Sequence, residues 1–557
     1  MMEIQRFVLF VGFSVSLLLL WEAWQKDRSP QPAVAAGQQK GAADKGGVPT
    51  PTSSIGVPTP TAVSPRARDS VPVQSPAGQA HDRIKVNTDK LRAEIDPMGG
   101  SIVFLELLEH PDAEKREKNF VLLGPQHHYA VQSGLIGEGL PNHRTLFNTG
   151  VKEYTLDPGK ESLEVMLEAN GTGVASGVKV RKTVTFYRGS YLIDIAEQAS
   201  NGSDTLLTTH AYAQVTRDSK APDGTQSMST TYIGPAMFTE QEKFRKLPFG
   251  DIDSKSYSKA ADNGWIALLQ HYFVVALVPS EKQGSREFYT RKLGDDLYAA
   301  GVILPMAAIS PGASGSSKLS IYAGPQEQDK LKIIASGLDL VVDYGWLTVI
   351  AAPLFWVLQF FHQWLGNWGL AIIFLTVMIK LIFYPLSAAS YRSMAKMKQV
   401  TPRLTKIREQ YADDRMKQNQ AMMDLYKQEK INPLGGCLPI VVQIPVFISL
   451  YWVLLASVEL REAPFYGWIT DLASADPYYI LPALMMASMI VQTKMSPMPP
   501  DPVQAKVMQI MPFVFGVMFF VFPAGLVLYW LVNNVLSILQ QWHITRTLGQ
   551  PKASAKR

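Results

Sequence analysis

The 557-residue chain has a single cysteine, Cys437. No intrachain disulfide is possible, so any part that works in an oxidising compartment must fold on core burial alone. Excess charge is scarce too. The formal net charge of +5 at pH 7 is too small for this length to argue for a sequence-specific nucleic-acid partner. Catalytic signatures are missing: there is no HExxH, no GxSxG and no Walker-type phosphate loop. The nine histidines show no paired metal-ligand spacing, and the adjacent His127 and His128 point different ways on a strand or helix, as a surface pair would. These absences point away from an enzyme, a metal site or a bound cofactor.

Two further absences are local. Residues 29–80 hold nine prolines and no aromatic residue, and the pentad VPTPT occurs twice, at Val48–Thr52 and Val57–Thr61. Such a composition cannot bury a core and is expected to be an extended, disordered linker. The apolar runs of the C-terminal part contain no Asp or Glu. Any cation inside them therefore has no carboxylate of its own to pair with.

What is present is strongly segregated. The mean hydropathy of +0.02 averages a polar first half with a membrane-like second half. Phe7–Leu20 is apolar, and Trp21 and Trp24 extend it to membrane length. The nearest A-x-A, Ala33-Val34-Ala35, lies well past the run and beyond several charges, which favours an uncleaved signal-anchor span at 1–28 over a cleaved leader. Residues 81–330 show short β-like runs punctuated by Gly, Asn, Asp and Pro. Val178, Val180, Lys182, Val184 and Phe186 share one face by period-two alternation, and Leu91–Ile95, Trp265–Leu269, Phe273–Val278 and Leu319–Ala323 read as further strands. This stretch is expected to form one large antiparallel sandwich or barrel.

From Tyr344 the chain is membrane-like. Gly345–Leu365 carries Trp346, Trp356 and Trp364 along its length and reads as an amphipathic helix on the bilayer surface, at the end of a 331–366 connector. Spans are expected at 367–388, 437–457, 478–495, 507–522 and 523–543, with a loop at 458–477 and a turn at Phe522-Pro523-Ala524-Gly525. The signal anchor makes six. The 389–436 connection holds ten basic residues (Arg392, Lys396, Lys398, Arg403, Lys406, Arg408, Arg415, Lys417, Lys427, Lys430) against five acidic ones (Glu409, Asp413, Asp414, Asp424, Glu429), and the 544–557 tail is basic. Positive charge marks the cytoplasmic side. Both termini are therefore expected inside and residues 25–366 outside. Within 389–436, Met394, Met397, Leu404, Ile407 and Tyr411 fall near a heptad seam, and Met416, Met423 and Tyr426 suggest a returning helix. The hairpin is either a solvated strut or a docking surface for a nascent chain, a ribosome or lipid headgroups.

One residue stands out energetically. Lys380 is the only formal charge in Asn367–Ser387, roughly 20 Å along a helix from Asn367 at about 1.5 Å per residue. A cation near the centre of a lone bilayer helix costs about 2.5–3.5 kcal/mol. With no carboxylate in the spans, a water-filled cavity or groove is the cheaper explanation, with snorkelling to the cytoplasmic edge as the rival. Thr376 lies on the same helix face one turn earlier, Gln443 interrupts another apolar span, and Asn533, Ser537 and Gln540 stripe the last one, with Tyr529 and Trp530 a turn further out. Single polar groups of this kind also serve as interhelical glue.

The strings KLIFYPLSAASYRSMAKMK, YKQEKINPLGGCLPIVVQIPVFISLYWVL, SVELREAPF, DLASADPYYILP and FPAGLVLYWLVNN resemble the bacterial branch of the YidC/Oxa/Alb membrane-insertase family. The match is close over Tyr344–His543. The anchor, linker and large β domain resemble its Gram-negative form. The resemblance implies a multi-domain, polytopic α-helical inner-membrane protein with a periplasmic all-β super-sandwich of the galactose-mutarotase kind. It implies a chaperone that inserts and folds nascent membrane proteins through a hydrophilic, positively charged groove, alone or with the Sec translocon, in contact with lipid, and with hairpin and tail available to the ribosome. The family's groove positions fall on Thr376, Lys380, Gln443, Asn533 and Ser537, and its substrate-contacting aromatic pair on Tyr529 and Trp530. Lys380 is a departure, since the family usually carries arginine there; the charge is kept but the planar fork is lost. A secondary transporter with Lys380 as substrate counter-ion is the alternative. It would call for inverted repeats, and the five C-terminal spans show no such similarity.

Overall fold

The computed structural model describes residues 71, 82–112, 116–222, 231–280, 284–411, 414–429, 438–496 and 502–549. The expected signal anchor, the linker apart from Val71, the 430–437 end of the hairpin and the tail from 550 lie outside them.

Alternation builds the β domain. In the strand Val178–Tyr187, Val178, Val180, Val184 and Phe186 are buried while Lys179 and Arg181 face solvent. Two sheets result. The ten-stranded sheet runs in the order Tyr257–Ala261, Arg286–Gly294, Leu297–Pro305, His210–Arg217, Ala130–Ile136, Ser101–Pro111, Leu91–Asp96, Ile84–Asn87 and Glu153–Thr155, with Asn119–Leu123 paired to Ser101–Pro111 off this path. The eight-stranded sheet runs Lys243–Lys246, Gly234–Thr239, Trp265–Gln270, Phe273–Pro279, Ser314–Pro325, Leu192–Asn201, Val178–Tyr187 and Ser162–Asn170. The pairs are antiparallel except for the parallel pair of Ile84–Asn87 with Glu153–Thr155. Apolar side chains of both sheets, among them Leu105, Val131, Val215, Val184, Ile195 and Val275, form one core between them. Lys182 sits within it, donating to the carbonyls of Gly99 (2.6 Å) and Ser133 (3.0 Å) and pairing with Glu197 at 3.2 Å. A buried ion pair survives there because those hydrogen bonds replace its water.

After the short helix Gln328–Ile334 come eight longer α-helices among the described residues. We label them α1 (Thr348–Leu365), α2 (Trp368–Ile382), α3 (Tyr384–Gln410), α4 (Arg415–Gln428), α5 (Leu438–Ala456), α6 (Ile480–Met495), α7 (Pro502–Met518) and α8 (Ala524–Gly549). Gly366, in the left-handed region at φ 65°, ends α1, and the side chain of Asn367 caps α2 by accepting the N–H of Leu370 at 3.0 Å. In α3 and α4, Val400, Leu404 and Leu425 form a small separate core with Met397, Ile407, Met422 and Tyr426 against it.

The structure departs from the expected spans in two ways. The segment expected as one span at 367–388 is two helices, α2 and α3, bent by 66°. The physical reason is Pro385 in the first turn of α3: it has no N–H to give the preceding turn and its ring crowds the carbonyl four residues back. By length and apolarity, one helix among the described residues, Gly345–Leu365, suffices to cross a membrane, or two when the bent pair counts as a broken span. Val442–Ala456, Ile480–Met495 and Ala505–Val521 are apolar but shorter. The expected count of six, whose first span lies outside the described residues, is therefore not confirmed, and the helix read as lying on the bilayer is the one long and apolar enough to cross. What stands is a two-sheet β domain followed by apolar helices.

A candidate polar groove between the C-terminal helices

The bend determines where Lys380 lies. It occupies the last turn of α2, a position where the helix dipole favours a cation. Its Nζ donates to Ser537 Oγ at 2.8 Å, and the Ser537 hydroxyl donates in turn to the Asn533 carbonyl at 2.7 Å. Asn533 Oδ1 accepts from Gln443 Nε2. Thus α2, α5 and α8 are joined by one polar relay, Gln443–Asn533–Ser537–Lys380. An ammonium has three protons; one is committed to Ser537 among the described residues, and the relay opens onto a cavity of 320 Å³.

Of the seven expected groove residues, Lys380, Gln443, Tyr529, Trp530, Asn533 and Ser537 line this cavity. Thr376 does not. It is buried, and its hydroxyl donates to the carbonyl of Ile372 at 2.6 Å, within its own helix. The separation of four residues did place it near the face of Lys380, but α2 packs against its neighbours there before the cavity opens. Gln540 is also outside the lining; its Nε2 reaches the Tyr384 carbonyl at 3.4 Å. Its neighbour Gln541 lines the cavity instead, so the polar stripe of α8 is Asn533, Asn534, Ser537 and Gln541.

Several lining residues were not singled out in the sequence. Ser387, Ser390 and Tyr391 come from α3, and Gln492 and Ser496 from α6 and its end. On α6 the signal was present: Ser488, Gln492 and Ser496 recur at spacings of four in an apolar helix. Asn534 Nδ2 lies 3.3 Å from Ser488 Oγ, which ties α8 to α6. On α3 the bend, invisible to periodicity, turns the serines inward. Among the described residues that line the cavity, Lys380 is the one with a formal charge.

The cavity has an aromatic wall. Phe447 meets Trp530 edge-on at 4.6 Å and stacks near Tyr529 at 6.4 Å, while Phe519 lies 5.2 Å from Trp530. Trp530 Nε1 is buried without a hydrogen-bond partner among the described residues. The arrangement offers one cation and several amide and hydroxyl groups on one side, and flat apolar rings on the other. It contains no nucleophile–base pair. No group of three or more His, Cys, Asp or Glu placed to hold a metal occurs among the described residues.

Two family models cover most of the chain. Residues 83–357 match the YidC periplasmic domain, and residues 360–551 match the 60Kd inner membrane protein family. The chain is 54% identical over 552 residues to a protein of Dechloromonas aromatica (strain RCB) named membrane protein insertase YidC, covering 98% of each. It is 53% identical over 562 residues to a protein of the same name from Aromatoleum aromaticum (strain DSM 19018 / LMG 30748 / EbN1), covering 100% of each. A solved structure of an active YidC insertase with its first transmembrane domain resolved covers 83% of this chain and 92% of its own, at 17% identity and a TM-score of 0.39. The chain belongs to the YidC family.

Proposed function

We propose that the chain inserts and folds membrane proteins in the bacterial inner membrane, using the cavity around Lys380 as a hydrophilic halfway site. A hydrophilic stretch of a nascent protein must cross an apolar slab about 30 Å thick. Water and one cation partway shorten that path, and an acidic stretch gains most because the cavity lining carries no carboxylate to compete for Lys380. The substrate's apolar segment then leaves along the wall of Phe447, Tyr529 and Trp530 by partitioning into lipid. The chain supplies binding and a path, not bond chemistry. The six-span topology with both termini cytoplasmic, the cooperation with the Sec translocon, and contacts of hairpin and tail with ribosome and lipid belong to the same reading. The observation that carries it is the relay that holds a single cation in the lining of an otherwise uncharged cavity.

Reconstituted proteoliposomes test it. Lys380→Arg is expected to retain at least half of the insertion of a small acidic-tailed substrate. Lys380→Ala should lose about fivefold and Lys380→Glu more. Full activity of Lys380→Glu on that substrate would sink the electrostatic part. Solute flux in place of insertion would favour the transporter alternative.

A further inference from the structure

Val71 is set apart from the linker in which it stands. It is 1% exposed and packs with Ile136, Tyr212, Tyr289 and Ile303 in a cluster separate from the main core. These four side chains lie on the outer face of the ten-stranded sheet. Their strand neighbours Leu135, Ala211, Ala213, Phe288 and Val302 all belong to the core between the sheets, and side chains alternate along a strand. The docked valine is also held by its backbone. Arg291 Nη1 donates to the Val71 carbonyl at 2.9 Å, and Arg291 Nη2 and the Tyr289 hydroxyl both donate to Gln214 Oε1, at 3.2 and 2.9 Å. The guanidinium thus bridges the Val71 carbonyl and the domain's own Gln214. Gly301 opposes Tyr289 across the strand pair, and a Cβ there would stand 2.6 Å from the Tyr289 ring. Only glycine leaves that ring room to floor the pocket.

We propose that this outer face is a binding site for a valine-bearing peptide segment, and that its resident ligand is the chain's own linker at Val71. The linker contains three Val-Pro steps, at Val48, Val57 and Val71. The site thus sets where the tether leaves the domain. The strand Ile84–Asn87 is six positions from Arg286–Gly294 in the sheet order, about 29 Å at ordinary strand spacing. The other strands that Val71 touches, those of Ile136, Tyr212 and Ile303, are three to five positions away, so docking moves the exit several strands along the sheet.

The test uses the full chain in nanodiscs and a fluorescein-labelled peptide of residues 66–76. Val71→Asp should speed tryptic cleavage after Arg68 at least tenfold. The triple variant V48D/V57D/V71D, with no Val-Pro step left in the linker, should bind the peptide at least tenfold more tightly than the wild-type chain, whose site is filled. Adding Arg291→Ala should abolish that binding with the melting temperature retained, and a peptide carrying Asp at position 71 should not bind. Equal cleavage of wild type and Val71→Asp, or equal peptide binding by wild type and the triple variant, would overturn the proposal.

Discussion

At the scale of single residues, partners matter more than burial. Lys380 donates one N–H to Ser537 and faces a cavity with room for water to accept from the others. Ser537→Ala is therefore expected to weaken insertion of acidic-tailed substrates only two- to threefold, since water can replace a hydroxyl where it cannot replace the cation. A loss as large as that of Lys380→Ala would mean that Ser537 contributes more than a hydrogen bond. Glu459 is the opposite case. It is buried beneath the β domain, and burial pushes its carboxyl up to about 7, with the backbone N–H groups of Glu459 and Gln328 opposing and Glu327 and Asp329 adding to the rise. Below its unfolded value both states hold the proton. Between that value and about 7 the folded state keeps a proton that the unfolded chain has released. Stability therefore falls as pH rises through this window and levels off above it, by on the order of 3 kcal/mol in all. Buried histidines such as His271, lowered to about 4, push stability the other way over the same range, so the decline is read in the difference between wild type and Glu459→Gln: melting from pH 4.5 to 8 should show the wild type losing stability relative to the variant as pH rises, and a difference independent of pH would assign the titration elsewhere. Lys380 was legible from sequence because a charge in an apolar run has few explanations. Glu459 was not, because an acid just beyond an apolar helix looks solvated until the domain above it is known.

At the scale of elements, the alternation of Val178–Phe186 was enough to orient a strand, because a period of two needs no knowledge of the partner. Helix ends were harder. The sequence reading ran through Tyr384-Pro385 as one span, and the bend there is what brings Ser387, Ser390 and Tyr391 of α3 into the cavity. Proline marks a possible break without giving its angle; that is set by the helices packed around it. Close approach is also invisible in one sequence. Gly369 opens α2 beneath Phe465, and a Cβ at that position would lie 2.0 Å from the Phe465 ring. Ring carbons so near must shift before a methyl group fits. Gly369→Ala is expected to destabilise the chain by about 1–3 kcal/mol. Phe465→Ala in the same chain should recover at least half of that, and additive losses in the double-mutant cycle would show that the two sites do not meet.

At the scale of the whole molecule, the loop after α5 joins the β domain to the helices. Arg461 lies over the rings of Phe120, Tyr272 and Phe273 at 5.8, 6.0 and 5.4 Å and donates to the carbonyl of Pro111. Around it, Arg116 reaches Asp471 at 3.5 Å, and His271 Nε2 lies 3.1 Å from the Leu455 carbonyl. Burial lowers His271 to about 4, so near neutral pH it is an uncharged ring whose Nε2–H donates. These contacts are polar and directional, centred on the part-buried guanidinium, and lie beside an apolar cluster that itself continues from the sheets into the helices. Arginine suits the place because its plane stacks on rings while its edge still donates. Arg461→Ala should cost about 2–4 kcal/mol of coupling, from a lost charged hydrogen bond and lost cation–π contacts. Calorimetry of the full chain should then resolve two transitions where the wild type gives one, and hydrogen exchange should rise in residues 458–472 while the core strands Val178–Tyr187 and Leu192–Asn201 stay protected. Arg461→Lys keeps the charge and loses the plane, so it should fall between the two. A single transition at the wild-type temperature in Arg461→Ala would mean that the β domain is held to the helices by other contacts, with Arg461 only filling the space between them.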